Sequence, residues 1–179
     1  EKMAFSAVYM FGDRLRFADL VLRDNGGFGI ITGGSCRLER VNAFNNATAT
    51  TTNPGGILVG SYCTLSDCAA SFNKGYGIYA GAGVVLENCC AAYNTGIGIN
   101  VGATACLSGC TAVGNGSSGI AMQHTGIAES CAARDNTGTG IVGSWASLVR
   151  ACSVEGNLAG GVEVWEGGLI ARCSAQSNT

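Results

Sequence analysis

Three residues able to do acid–base or stacking chemistry recur at one spacing: His124, Trp145 and Glu166 stand 21 residues apart. Trp165 and Glu163 lie beside them. Together they include the only histidine of the chain, both tryptophans and two of its twelve acids. Aromatic rings next to carboxylates suit a groove that binds sugars. His124, Glu163 and Glu166 are therefore the candidate acid–base groups, and Trp145 and Trp165 the candidate stacking platforms. If each 21-residue step is one rung of a stacked strand array, His124 and Glu166 lie about 10 Å apart. That is too far for direct proton exchange but near the separation of carboxylates in an inverting glycosidase. The competing reading is scattered surface residues.

Ten cysteines are the other reactive set. Cys68, Cys89, Cys110, Cys131, Cys152 and Cys173 also step by 21. Cys36 and Cys63 form a second column. In-register side chains of parallel strands point the same way, which suits the disulfide torsion poorly. Free cysteine packs as a small hydrophobe, so an unpaired cysteine ladder is expected. No histidine clusters with these thiols, and Cys89-Cys90 lacks zinc spacing. No metal and no cofactor is expected.

The 21-residue step belongs to the whole chain. Asn25, Asn46, Asn73, Asn94, Asn115, Asn136, Asn157 and Asn178 keep it, except that Asn46 to Asn73 is 27, an insertion of six placed in residues 47–55. Ile30, Ile57, Ile78, Ile99, Ile120, Ile141 and Val162 form a column, each preceded by glycine. Leu38, Leu65, Leu86 and Leu107 form another, and Ala70, Ala91, Ala112 and Ala133 a third. Within a unit the apolar residues alternate with period two, as in short strands. One unit cannot bury its own apolar row, but stacked units can. Eight coils follow, at 4–24, 25–45, 46–72, 73–93, 94–114, 115–135, 136–156 and 157–177. They would build a rod about 38 Å long. The first coil lacks the markers, and its inward positions read as Tyr9, Phe11, Leu15, Phe17 and Leu20. The chain stops two residues into a ninth coil. Solenoids end in caps, so a fragment of a longer protein is expected, with an open end able to recruit strands.

Composition agrees. Glycine is 29 of 179 residues and proline one, which excludes collagen. With 47% hydrophobic residues, intrinsic disorder is excluded. A net charge of −2 excludes nucleic-acid binding through bulk charge. No apolar run approaches the length of a membrane span. An ice-binding solenoid would need a threonine column, and there is none.

The pattern Asn-x-x-x-Gly-Ile-x-Val followed by Leu-x-x-Cys-x-Ala-x-x-Asn resembles the right-handed parallel β-helix of the pectin-lyase-like superfamily, over about residues 4–179. The six-residue sub-period of the rival left-handed solenoid is missing. The resemblance implies an asparagine ladder at a tight turn, where asparagine tolerates the left-handed conformation. It also implies an extracellular or cell-surface setting, against which an unpaired cysteine ladder speaks. In the polygalacturonase branch it implies catalytic aspartates flanking the Gly-Ile pair. Here those positions hold Phe28, Gly55, Tyr76, Ile97, Ser118, Thr139 and Gly160 before the glycine, and Ile31, Leu58, Tyr79, Asn100, Ala121, Val142 and Glu163 after the isoleucine. Only Glu163 is a carboxylate. The lyase branch implies a calcium-binding acidic cluster and an arginine base on this face, and neither is present.

A non-catalytic structural or binding module is therefore the first reading. A polysaccharide-active lyase or hydrolase with a site near Glu163 and Glu166 is the alternative. Phe28, Ile31, Leu58, Tyr76, Tyr79 and Ile97 are expected to form an exposed apolar stripe. Such a stripe is either an interface for a protein partner or a second copy, or the seat of the insertion. Asp19 with Arg40, Glu129 with Arg150, and Arg134 with Glu155 read as vertical ion pairs on solvated faces. The sequons at Asn46 and Asn115 use ladder asparagines and are expected to be buried and unmodified.

Overall fold

The computed structural model describes residues 6–47 and 55–179; most of the insertion lies outside the described residues. Among those residues all regular structure is strand, and no helix is long and apolar enough to cross a membrane. Each coil contributes one short strand to each of three parallel eight-stranded sheets. The first sheet runs from Val8–Met10 to Val162–Val164, the second from Arg16–Ala18 to Leu169–Ala171, and the third from Val21–Arg23 to Ser174–Gln176.

The sequence columns are the core. Ile78, Ile99, Ile120 and Ile141 pair in register in the first sheet and are fully buried. Leu86 lies between Leu65 and Leu107 in the second, and Ala91 between Ala70 and Ala112 in the third. The β-branched isoleucines have one strongly preferred χ1, so identical side chains stack without conflict.

Each coil turns three corners, and each corner holds one residue in the left-handed region: Thr104, Gly109 and Gly114 in one coil, Thr125, Ser130 and Asp135 in the next. The residue after it points inward. This corrects the expectation for the ladder asparagines. Tyr93 and Asp135, at φ 55° and 54°, take the strained conformation, and Asn94 and Asn136 follow them into the core. Aromatic residues at such corners are supported from the next coil. Tyr93 stacks with Phe72 at 5.1 Å, and its ring lies where a side chain on Gly114 would begin, 2.6 Å away.

The asparagine ladder is continuous from Asn25 to Asn178, with amide-to-amide bonds of 2.8–3.1 Å. Each interior Nδ2 also donates to a backbone carbonyl of the third sheet, such as Asn115 to Ala91 at 3.0 Å. Each Oδ1 also accepts a backbone N–H, such as that of Asn94 on Asn115 at 3.1 Å. The ladder explains the glycine column. A Cβ on Gly77 would lie 2.6 Å from the Asn94 amide nitrogen and 2.9 Å from the Ala91 Cβ. Asn46 and Asn115 are buried in the ladder, as expected for both sequons.

All ten cysteines are free. Column thiols donate to corner carbonyls, as Cys89 does to Glu87 at 3.4 Å and to Leu65 at 3.6 Å. The cysteine column thus does for the second corner a weaker version of what asparagine does for the third.

Two expectations need correction. Val8, not Tyr9, pairs with buried Ile30. Tyr9 and Phe11 are 66% and 67% exposed, while Leu15, Phe17 and Leu20 pack half-buried against the core. The step from Val8 to Ile30 is 22 residues, and a slip of one residue moves a strand's side chains to its other face. The stripe, second, is mostly half-buried. Phe28, Ile31, Leu58, Tyr76 and Ile97 are partly covered, and only Tyr79 counts as exposed, at 37%. Neighbours shield one another: the Tyr76 and Tyr79 rings lie 5.3 Å apart, and the Phe28 ring leans over Gly55.

Candidate functional site

The corner between the first and second sheets presents four of the five predicted polar and aromatic site residues, and Glu163 lies beside it on the last strand of the first sheet. His124, Trp145 and Glu166 occupy equivalent places on three successive coils, two residues beyond the strands Ile120–Met122, Ile141–Gly143 and Val162–Val164. Backbone bonds fix their rungs. The carbonyls of His124, Trp145 and Glu166 accept from Thr104, Thr125 and Ala146 at 2.9, 2.9 and 3.0 Å. Those three donors are the left-handed residues of the adjacent corners. The turn therefore throws the preceding side chain outward on every coil.

The side chains are held in two pairs. The His124 ring lies against Trp145, centroids 5.2 Å apart and planes 31° apart, and its Nδ1 is 3.0 Å from Ser144 Oγ. Glu163 points outward from the first sheet, and its Oε1 accepts the Trp165 indole N–H at 3.0 Å. Trp145 is 56% and Trp165 50% exposed. Glu163, Glu166 and His124 are also exposed. Trp145 stands on the rung between His124 and Glu166, so these two do not exchange a proton directly. Glu163 is in register with Val142, and the rungs before it carry Ala121 and Asn100. That outward column brings no second acid beside it. Among the described residues no group of three or more His, Cys, Asp or Glu could hold a metal ion.

Some of the acids and bases elsewhere form ion pairs. Arg40 contacts Asp19 through two bonds of 2.6 and 2.9 Å and holds its carboxyl below the usual range. Hydrogen bonds from Arg16, and then Arg37, hold Glu39 below it too. Arg150 meets Glu129 at 2.7 Å. Arg134 and Glu155 are opposite each other in register without a salt bridge.

The structure also shows a surface that sequence reasoning missed. Val85, Cys106, Ile127, Leu148 and Leu169 pair in register along the outer face of the second sheet. Val85 and Leu169 are 37% and 58% exposed. The signal was available: the column keeps the 21-residue step, one residue before the buried leucines. The apolar outer residues hid behind the stronger inner column.

A family model described as a right handed beta helix region matches residues 6–179. Among solved structures the chain is similar to the A-module of the mannuronan C-5 epimerase AlgE4 of Azotobacter vinelandii, with 19% identity and a TM-score of 0.71 over 97% of this chain and 56% of that one. It is also similar to the Dettilon tailspike protein gp208, with 14% identity and a TM-score of 0.61 over 90% of this chain and 39% of that one. The chain thus spans little more than half of the first and well under half of the second. No curated protein matches its sequence. With three parallel sheets, an unbroken asparagine ladder and a family match over nearly its whole length, the chain belongs to the right-handed β-helix family.

Proposed function

We propose that this β-helix is a non-catalytic carbohydrate-binding module whose contact surface is the corner carrying His124, Trp145, Trp165 and Glu166, with Glu163 beside it. The observation that carries the reading is the state of the two indoles. They are half-exposed on consecutive coils, and each is tied down, Trp145 by the His124 ring and Trp165 by Glu163. An aromatic platform already fixed in place loses little side-chain entropy on binding. The carboxylates beside it can accept hydrogen bonds from sugar hydroxyls. Support for a saccharide ligand also comes from the fold neighbour whose name gives mannuronan as its substrate.

The test is affinity electrophoresis through gels holding neutral, amino-bearing or uronic polysaccharides. At least one should retard the protein. Trp145→Ala or Trp165→Ala should each weaken that binding about tenfold. The alternative, a polysaccharide-active enzyme, draws on the same neighbour and on the exposed Glu163 and Glu166. Turnover of a polysaccharide that Glu163→Gln or Glu166→Gln abolishes would replace the module reading.

The stripe supports a second contact, with another copy of the chain. It begins one coil earlier than expected, because Tyr9 pairs with Ile31. Tyr76→Lys with Tyr79→Lys should shift a stripe-mediated oligomer toward monomer in sedimentation. A wild type that is monomeric at all concentrations would remove this contact.

A further inference from the structure

The candidate corner has charge of one sign as well as aromatic surface. Glu163 and Glu166 are exposed, and among the described residues neither pairs with a lysine or arginine. No lysine or arginine occurs at 135–149 or 151–171, the segments that build this end of the corner. Arg150, between them, is bonded to Glu129. By contrast Asp19, Asp24, Glu39 and Glu129 each have an arginine within 4 Å, and Glu155 has Arg134 opposite it in register. What sets this pair apart is the lack of any lysine or arginine in the segments around it, so its charge is of one sign.

The rings are placed to use that charge. His124 covers the face of Trp145 on the side of the preceding coil. Among the described residues no ring covers the opposite face, on the side where the column continues to Glu166. Trp165 and Glu163 stand on that same next coil, and Glu163 uses only Oε1 for the indole. Its Oε2 is left for a ligand. A group resting on the open face of Trp145 would have an indole beneath it and would face the next coil, which carries Trp165, Glu163 and Glu166. Indole faces attract cations, carboxylates accept charge-assisted hydrogen bonds from ammonium groups, and both repel a polyanion.

We infer that the ligand of this corner is a glycan bearing protonated amino groups, a polymer of amino sugars, rather than a polyuronate. The pyranose ring lies on the open face of Trp145, and its ammonium group is taken by Glu163 and Glu166. This rests on the carbohydrate-binding reading above and adds the charge class of the sugar.

The test is titration calorimetry of the wild type with three oligomers of equal length: a glucosamine oligomer, its fully N-acetylated form, and an oligouronate. The cationic oligomer should bind about tenfold more tightly than the neutral one at low salt, and the difference should collapse at about 0.5 M salt. In E163Q/E166Q the two should bind within about threefold of each other. Glutamine retains an acceptor for the Trp165 N–H, so that variant removes charge while keeping the ring tethered. Two results overturn the cationic assignment but leave the binding module standing. One is neutral or uronic oligomers binding as tightly as the cationic one in a Trp145-dependent way. The other is a preference for the cationic oligomer that survives E163Q/E166Q. Failure of all three oligomers to bind would overturn both. Binding of choline at an affinity equal to the glucosamine oligomer would show a small-cation site and would overturn the saccharide assignment.

Discussion

Replacing Asn115 separately by alanine and by aspartate tests what holds the coils in register. Asn115 is fully buried. Its Nδ2 donates to Asn136 Oδ1 at 2.9 Å and to the Ala91 carbonyl at 3.0 Å. Its Oδ1 accepts from the backbone N–H and the side-chain amide of Asn94, at 3.1 and 3.0 Å. Alanine removes all four bonds. The Asn94 N–H and the Ala91 carbonyl each lose a ladder partner away from water, and an orphaned buried group costs about 1–3 kcal/mol. The expected loss is therefore about 3–5 kcal/mol, a large share of a domain's stability. Aspartate keeps the accepting oxygen but sets its second oxygen against two acceptors. It must either bury a charge or take up a proton. Asn115→Asp should thus be worse than Asn115→Ala near neutral pH. Its folded-state pKa is raised, so the variant gains stability as pH falls through that value, and the gap to alanine narrows in acid. Urea unfolding followed by circular dichroism at about pH 7 and about pH 4.5 measures both differences. An aspartate variant equal to or more stable than the alanine one at neutral pH would refute the donor–acceptor assignment. Asn178→Ala should cost less than Asn115→Ala, because Asn178 is half-exposed and its Nδ2 donates only to the Val154 carbonyl.

Other outcomes follow from the same geometry. Ile99→Asp, between Ile78 and Ile120, should cost about 4 kcal/mol or more, whereas Glu129→Ala on the outer face should cost about 0.5 kcal/mol or less. Equal losses in urea unfolding would mean that the in/out phase is wrong. All ten thiols should react with a disulfide reagent after denaturation, but in the native protein exposed Cys106 should react first. The contact with the Cys110 thiol, together with burial, pushes Cys131 up to about 12 and raises Cys89 as well, so these ladder thiols should be the slow ones. Recovery of two or fewer thiols would show a disulfide-linked ladder. Finally, Arg16 and then Arg37 depress the pKa of Glu39. Its stabilisation is present above the ordinary carboxylate range and is lost as pH falls through the lower folded value. Glu39→Gln should flatten the acid limb of a stability–pH curve, and an unchanged limb would show that these contacts do not persist in solution.

The repeat was legible because a solenoid writes one structural position many times. Five columns at one period fixed the fold class, the coil count, the core of isoleucine, leucine and alanine, and the course of the asparagine ladder. Reading failed where a column depends on a single copy. The first coil has one extra residue, and no marker in the sequence shows it, so Tyr9 and Phe11 were assigned to the core when they lie in solvent. The left-handed residue was also misplaced by one position. The marker was the invariant-looking asparagine, while the strained residue before it varies from Phe72 and Tyr93 to Asp135 and Gly156. The side chain of that residue faces solvent, so nothing forces a common type.

What the sequence determined by itself was the set of residues that share a column, because equal spacing along a regular coil means vertical adjacency. It placed His124, Trp145 and Glu166 in one column and six of the ten cysteines in another. It did not determine how neighbouring columns lean on each other. Tertiary structure alone decided that the stripe from Phe28 to Tyr79 is half-covered, because exposure depends on rings reaching across to glycine positions such as Gly55. It alone decided that Trp165 is tied to Glu163, that His124 covers one face of Trp145, and that no ring of the described residues lies on the other. Column membership follows from counting residues, but contact depends on rotamers and corner geometry, which only the packed coil fixes.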